Sequence, residues 1–173
     1  MKKGLLIVNT GNGKGKTTSA LGQAFRAMGH QLNVCMIQFI KGSWKYGELN
    51  SKDRFNGLLD FHVMGKGFTF KSNNLEEDIN IARKGWEIAK AALKSEKYFM
   101  VILDEFTYLL NYEFIGMDEV TACIQQRRED LHVIITGRDA PQSIIETADL
   151  VTIMEEFKHP LKAGVKAQRG IEF

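Results

Sequence analysis

Apolar positions in this chain come in two patterns, short unbroken runs and longer stretches at helical spacing. Leu5 to Asn9 is an apolar run that ends in glycines, which suits a buried strand. From Thr17 to Met28 the apolar residues fall at Leu21, Ala24, Phe25 and Met28, marking one helix face, with Gly29 as its C-cap. Val34 to Phe39 reads as a second strand, and Phe61 and Val63 alternate with polar neighbours in a third. Asn74 and Glu77 make a capping-box-like start. The helix they open carries Leu75, Ile79, Ala82, Trp86, Ala89 and Leu93 on one face. Phe99 to Leu103 is a continuous apolar run closed by Asp104 and Glu105. Val133 to Ile135 is another buried strand, followed by Thr136-Gly137-Arg138, and Leu150 to Met154 reads as a last core strand. The chain beyond Lys158 shows no assignable pattern.

Strands alternating with helices imply right-handed crossovers and an α/β fold: a mainly parallel sheet with helices on both faces. Ligands of such sheets bind at the carboxyl ends of the strands. Here those ends carry Gly11 to Thr17, Gln38 to Gly42, Phe68 and Phe70, Asp104 and Glu105, and Arg138. One edge of one sheet therefore collects nearly every candidate for chemistry.

Composition narrows the class without changing that picture. The 173 residues suffice for a single domain spanning 1–173 with a full core, and 44% hydrophobic with 25% charged residues is ordinary for a globular chain. A net charge of +2 gives no electrostatic case for nucleic acid. Cys35 and Cys123 lie far apart, outside any C-x-x-C spacing, and read as small core residues rather than as a disulfide or a zinc site. The methionines, Met64 among them, read as core. The N-terminal apolar run is too short for a membrane span and lacks a signal-peptide pattern, so a cytoplasmic protein with no membrane partner is expected.

The segment Asn9-Thr10-Gly11-Asn12-Gly13-Lys14-Gly15-Lys16-Thr17-Thr18 lies between the first strand and the first helix. It has the context of a phosphate loop, although the first glycine of G-x-x-x-x-G-K-[ST] is replaced by Thr10. Glycines let backbone N–H groups turn inward as an anion nest, and the helix N-terminus adds its positive end. Lys16 would reach the terminal phosphates and the Thr17 hydroxyl would ligate Mg²⁺. Gly11 can supply the tight turn in place of Thr10. The apolar strand ending in Asp104-Glu105 is the second metal-side element expected beside such a loop. Arg138 is a candidate contact to phosphate or ribose, against the plainer role of a surface ion pair. No N-K-x-D segment marks a guanine reader, and no cysteine cluster marks a zinc-bearing kinase. ATP with Mg²⁺ remains, with hydrolysis, phosphoryl transfer and attack elsewhere on ATP all open.

Taken in order, "TGNGKGKTT", "IQFIKGSW" (Ile37 to Trp44), "GFTF" (Gly67 to Phe70), "VILDEFTY" (Val101 to Tyr108), "VIITGRDAP" (Val133 to Pro141) and "AGVKAQRGIEF" from Ala163 onward closely resemble the ATP:corrinoid adenosyltransferases over nearly the whole chain. That family's loop is itself of the T-G-N-G-K-G-K-T form. The resemblance implies attack by cob(I)alamin, or by a corrinoid precursor, on C5′ of ATP. The adenosyl group passes to cobalt and triphosphate leaves whole. It also implies ATP lying reversed in the loop, a homodimer, and a reducing partner such as a flavoprotein.

Such a displacement needs no base, because Co(I) is already electron-rich, and the sequence offers no Ser-His-Asp or Cys-His set. It needs a stabilised leaving group. On this reading Lys16 and Glu105 are the catalytic candidates. Thr10, Gly11, Asn12, Gly13, Lys14, Gly15, Thr17 and Thr18 form the cradle, with Arg26 and Arg138 as further ATP contacts. Thr17 and Glu105 hold Mg²⁺ or Mn²⁺, with Asp104 supporting. The resemblance places Phe68 and Phe70 near the corrin, where the family uses aromatics to keep the lower axial base off cobalt. Phe70 stands where a tryptophan is expected in well-known members. Lys41 and Trp44 are further candidates to line that pocket. Some members carry a segment ahead of the first strand that covers the site. Here the strand begins almost at once, and no such lid is expected. The competing readings are a phosphate-loop ATPase with Glu105 orienting water, and a non-catalytic ATP-dependent interaction module.

Overall fold

The computed structural model describes residues 3–40, 47–65 and 75–172. The chain runs β1 (Leu6–Thr10), α1 (Lys16–Gly29), β2 (Val34–Phe39), α2 (Gly47–Ser51), a 3₁₀ turn (Lys52–Phe55), β3 (Leu59–Met64) and α3 (Leu75–Lys94). It continues through β4 (Met100–Asp104), α4 (Thr107–Asn111), α5 (Met117–Gln125), β5 (His132–Thr136), α6 (Gln142–Thr147), β6 (Leu150–Ile153) and a 3₁₀ turn (Pro160–Ala163). All six strands are parallel, in the order β3-β2-β4-β5-β1-β6.

The unbroken apolar runs follow from burial on both faces of a parallel sheet. Successive residues alternate between two cores. Leu6, Val8, Cys35, Ile37, Val101, Leu103, Val133 and Ile135 point toward α3, α4, α5 and α6. Ile7, Val34, Met36, Met100, Ile102 and Ile134 point toward α1. Close approach is built into the second layer. A Cβ on Gly85 of α3 would lie 2.7 Å from the Phe39 ring, so only glycine lets this helix settle on β2.

Several expectations need correction. Phe25 is 67% exposed, and α1 instead buries Ala20, Ala24, Ala27 and Met28. Helical spacing alone does not say which side of an apolar stripe meets the sheet, and alanines allow the closer approach. Gly29 is the last residue of α1 and His30 its cap. Leu75 is largely exposed although the rest of its stripe is buried or half-buried. β6 is an edge strand rather than a core strand, with Leu150 and Ile153 exposed, because among the described residues only β1 pairs with it. Cys35 is buried, and desolvation pushes its thiol up to about 12, which makes it inert. Cys123 is only half-buried. The capping residue Asn74 lies outside the described residues.

Candidate functional site

Thr10 explains the unusual spelling of the loop. It is the last residue of β1, paired with Ile153, and its carbonyl accepts from Met154 N at 2.8 Å. Its hydroxyl accepts from Ala140 N at 3.1 Å. An extended residue needs no glycine, so the turn begins one position later, at Gly11 (φ +96°). Gly15, at φ +111°, is the second left-handed position and caps α1. Gly13 is required for a different reason. A Cβ there would stand 2.6 Å from the Glu155 carbonyl oxygen, and Gly13 N donates to Met154 O at 2.6 Å. The segment after β6 thus forms one wall of the loop.

Lys16, only 7% exposed, curls back into this loop and donates to the carbonyls of Gly11 and Gly13, both at 2.7 Å. Burial lowers its pKa, while the field of Glu105 works the other way and those of Arg138, Asp104 and Asp139 add smaller effects. Lys16, Glu105, Arg138, Asp104 and Asp139 therefore share one electrostatic neighbourhood.

Asp104 is the hub of the edge. It is fully buried and accepts from Thr17 Oγ1 (2.8 Å), Thr136 Oγ1 (2.7 Å) and Gln38 Nε2 (3.0 Å). These donors come from α1, β5 and β2, so the ends of three strands and one helix meet on a single carboxylate. Thr136 is needed because β5 lies between β1 and β4 in the sheet. Its oxygen also accepts from Glu105 N at 2.9 Å. Glu105 itself holds φ +58°. A non-glycine residue in this region costs about 1–3 kcal/mol, and such strain gathers at functional sites. Ile40, Gly137 and Asp139 share positive φ along the same edge.

The carboxylate hydrogen-bonded to Thr17 is Asp104, which was expected only to support. Arg138 is exposed, yet its field reaches Lys16, and its carbonyl accepts from Thr107 Oγ1 at 2.6 Å. Asn12 is exposed on the loop and Thr18 in the first turn of α1. Lys14 is paired with Glu172 at 3.2 Å. Arg26 is not brought to the loop: it is exposed in the last turn of α1. At about 1.5 Å per residue it lies roughly 15 Å along the axis from Lys16. Lys41, Trp44, Phe68 and Phe70 lie outside the described residues. Gln38 was named only within the strand-end group Gln38 to Gly42, and Thr136 and Met154 were not identified as site residues, although each sits at a strand end, and that position was the available signal.

The donors suit a hard divalent cation. Thr17 Oγ1 and the Asp104 carboxylate offer oxygen only, and Mg²⁺ binds through one or two carboxylates plus substrate phosphates. Among the described residues no group of three or more His, Cys, Asp or Glu forms a ready-made metal cage.

The sheet order and the loop define a phosphate-loop nucleotide protein. Two solved structures share the fold. The flagellar accessory protein FlaH from Methanocaldococcus jannaschii has a TM-score of 0.59 at 14% identity, covering 88% of this chain and 72% of that one. The RadB recombinase has a TM-score of 0.53 at 14% identity, covering 91% and 77%. The particular family comes from the sequence as a whole. The family model "ATP:corrinoid adenosyltransferase BtuR/CobO/CobP" matches residues 2–173. The corrinoid adenosyltransferase of Sinorhizobium sp is 42% identical over 99% of this chain and 81% of its own length. That of Escherichia coli (strain K12) is 44% identical over 99% and 87%. The chain belongs to the ATP:corrinoid adenosyltransferase family.

Proposed function

We propose that the chain transfers the 5′-deoxyadenosyl group of ATP to the Co(I) centre of cobalamin or a corrinoid precursor and releases triphosphate. Family membership supports this reading. The observation that carries the residue assignment is the buried Lys16 ammonium inside a loop of left-handed glycines, facing Glu105 and Asp104.

The chain's part is to bind, orient and neutralise. An ammonium has three donors, and two of Lys16's are spent on Gly11 and Gly13 carbonyls, which leaves one for a phosphate oxygen. The N-terminus of α1 adds its dipole to the same place. Charge that grows on the departing triphosphate meets preorganised donors. Thr17 and Asp104 would hold Mg²⁺ or Mn²⁺, which supplies further charge neutralisation there. Glu105 adds negative charge near Lys16 and carries the strained turn.

We further propose a homodimer, supported by the exposed apolar side chains of Leu150, Ile153 and Phe157 beside the open edge of β6. A reducing flavoprotein would supply Co(I), and the corrin would rest on the Phe68–Phe70 segment with Lys41 and Trp44. The cytoplasm suits the free thiols Cys35 and Cys123. Among the described residues no helix is long and apolar enough to cross a membrane.

The test is anaerobic incubation with ATP, Mg²⁺ and chemically reduced cobalamin. The expected result is the visible spectrum of light-sensitive adenosylcobalamin, with triphosphate as co-product. ADP and phosphate without that spectrum would establish the ATPase instead. Lys16→Ala should abolish transfer while the variant remains folded; near-normal turnover would refute the placement of Lys16 at the phosphates.

A further inference from the structure

The segment after β6 also engages the phosphate loop. From Met154 it returns over the phosphate loop, tied by Gly13 N to Met154 O at 2.6 Å and packed backbone to backbone against Gly11 and Gly13. Its Glu172 also lies against the same loop. Glu172 Oε1 lies 3.2 Å from Lys14 Nζ. The carboxylate is held in place by its other oxygen, which accepts from Gln168 N at 2.7 Å, and Glu172 N donates back to Gln168 O at 3.0 Å. The Gln168 N–H, and then Lys14, hold the Glu172 carboxyl below the usual glutamate range. Its side chain is 16% exposed, whereas that of Lys14 is 49% exposed.

Lys14 sits between the two left-handed glycines of an anion-binding loop, yet the anion it meets is a carboxylate of its own chain. We infer that the Glu172 carboxylate occupies Lys14 in place of a phosphate oxygen, making the segment after β6 a latch that the triphosphate group of the nucleotide displaces. The inference rests on the proposed triphosphate site. A half-exposed ion pair is weak, and a polyanion with several negative oxygens outcompetes one carboxylate for the same ammonium. A strong pair would hold the tail against the loop, whereas this half-exposed one yields. Release would happen again in reverse when triphosphate leaves, so the same contact would help expel the product.

The experiment titrates inorganic triphosphate with Mg²⁺ into the wild-type chain and into Glu172→Gln by calorimetry. It also follows amide hydrogen exchange of residues 154–172 with and without the ligand. Removing the competitor should tighten triphosphate binding by about two- to fivefold, the range of an exposed pair. In the wild type, exchange of the tail should speed up when triphosphate binds. In Glu172→Gln it should already be fast without ligand. Equal dissociation constants, or a wild-type tail protected rather than released by triphosphate, would overturn the latch and leave the phosphate site standing. A wild-type chain that binds no triphosphate would overturn both.

Discussion

Replacing Asp104 separates what its hydrogen bonds do from what its charge does. In Asp104→Ala, Thr17 Oγ1, Thr136 Oγ1 and Gln38 Nε2 lose their acceptor together. A buried donor left without a partner costs about 1–3 kcal/mol. Thr17 is part-buried and can turn to water, so the sum should fall near 3–5 kcal/mol rather than at the top of the range. For a chain of this size about 1 kcal/mol moves Tm by 2–4 °C, so Asp104→Ala should melt roughly 6–20 °C lower. Asp104→Asn is different. Its carbonyl can still accept from Thr17 and Thr136, while its amide would face Gln38 Nε2, donor against donor. Gln38 Oε1 is buried with no hydrogen-bond partner among the described residues. A half-turn of the Gln38 amide presents that oxygen and restores the third bond. Asp104→Asn should therefore stay within about 1 kcal/mol of wild type, a shift of roughly 2–4 °C. It nevertheless removes the carboxylate charge beside Thr17, so transfer should fall at least about tenfold and require more Mg²⁺ for half-maximal rate. Calorimetric melting and a Mg²⁺ titration of transfer read the two effects independently. If Asp104→Asn melts as low as Asp104→Ala, the hydrogen-bond reasoning is wrong. Wild-type transfer at ordinary Mg²⁺ in the same variant would remove Asp104 from the metal side.

Gly13→Ala places a methyl 2.6 Å from the Glu155 carbonyl and threatens the Gly13–Met154 hydrogen bond, so it should lose about 1–3 kcal/mol and most ATP affinity; unchanged melting and ATP binding would show that the loop has room. Gly22→Ala, in the exposed face of α1 with nothing within 4 Å of the new methyl, should gain about 0.5–1 kcal/mol with transfer unaltered, and a lower Tm would contradict the open space. His132 Nδ1 accepts from Leu5 N at 3.2 Å, and burial, followed by the field of Arg127, depresses its pKa below 6.5. The unfolded chain then binds more protons just below pH 6.5, so stability should fall as the pH drops through that point toward the depressed value. His132→Asn should flatten this part of a urea-midpoint profile between pH 7 and 5, and an unchanged slope would place the titration elsewhere.

The strands and main helices were readable because a strand buried on both faces leaves a continuous apolar run and a helix packed on one leaves a period. Val34 to Phe39 is such a run, and it forms β2 without change. Phe25 and β6 misled for the same reason: an apolar residue records that burial is affordable, not that a neighbour arrives to provide it. Phe25 faces outward because alanines take α1 closer to the sheet, and Leu150 and Ile153 stay exposed because, among the described residues, only β1 pairs with β6.

The sequence alone determined that a phosphate loop follows the first strand, that a carboxylate pair closes the Phe99 run, and that these motifs, in order, belong to one family. Such features are local, since a turn needs its glycines and an anion needs its lysine wherever the chain later goes. Only the tertiary structure decided which carboxylate meets Thr17, that Thr136 carries the contact across β5, that Thr10 stays in its strand, and that Glu172 reaches Lys14. These are meetings between residues far apart in the chain. Strand order and register set them, and no local spacing encodes a register.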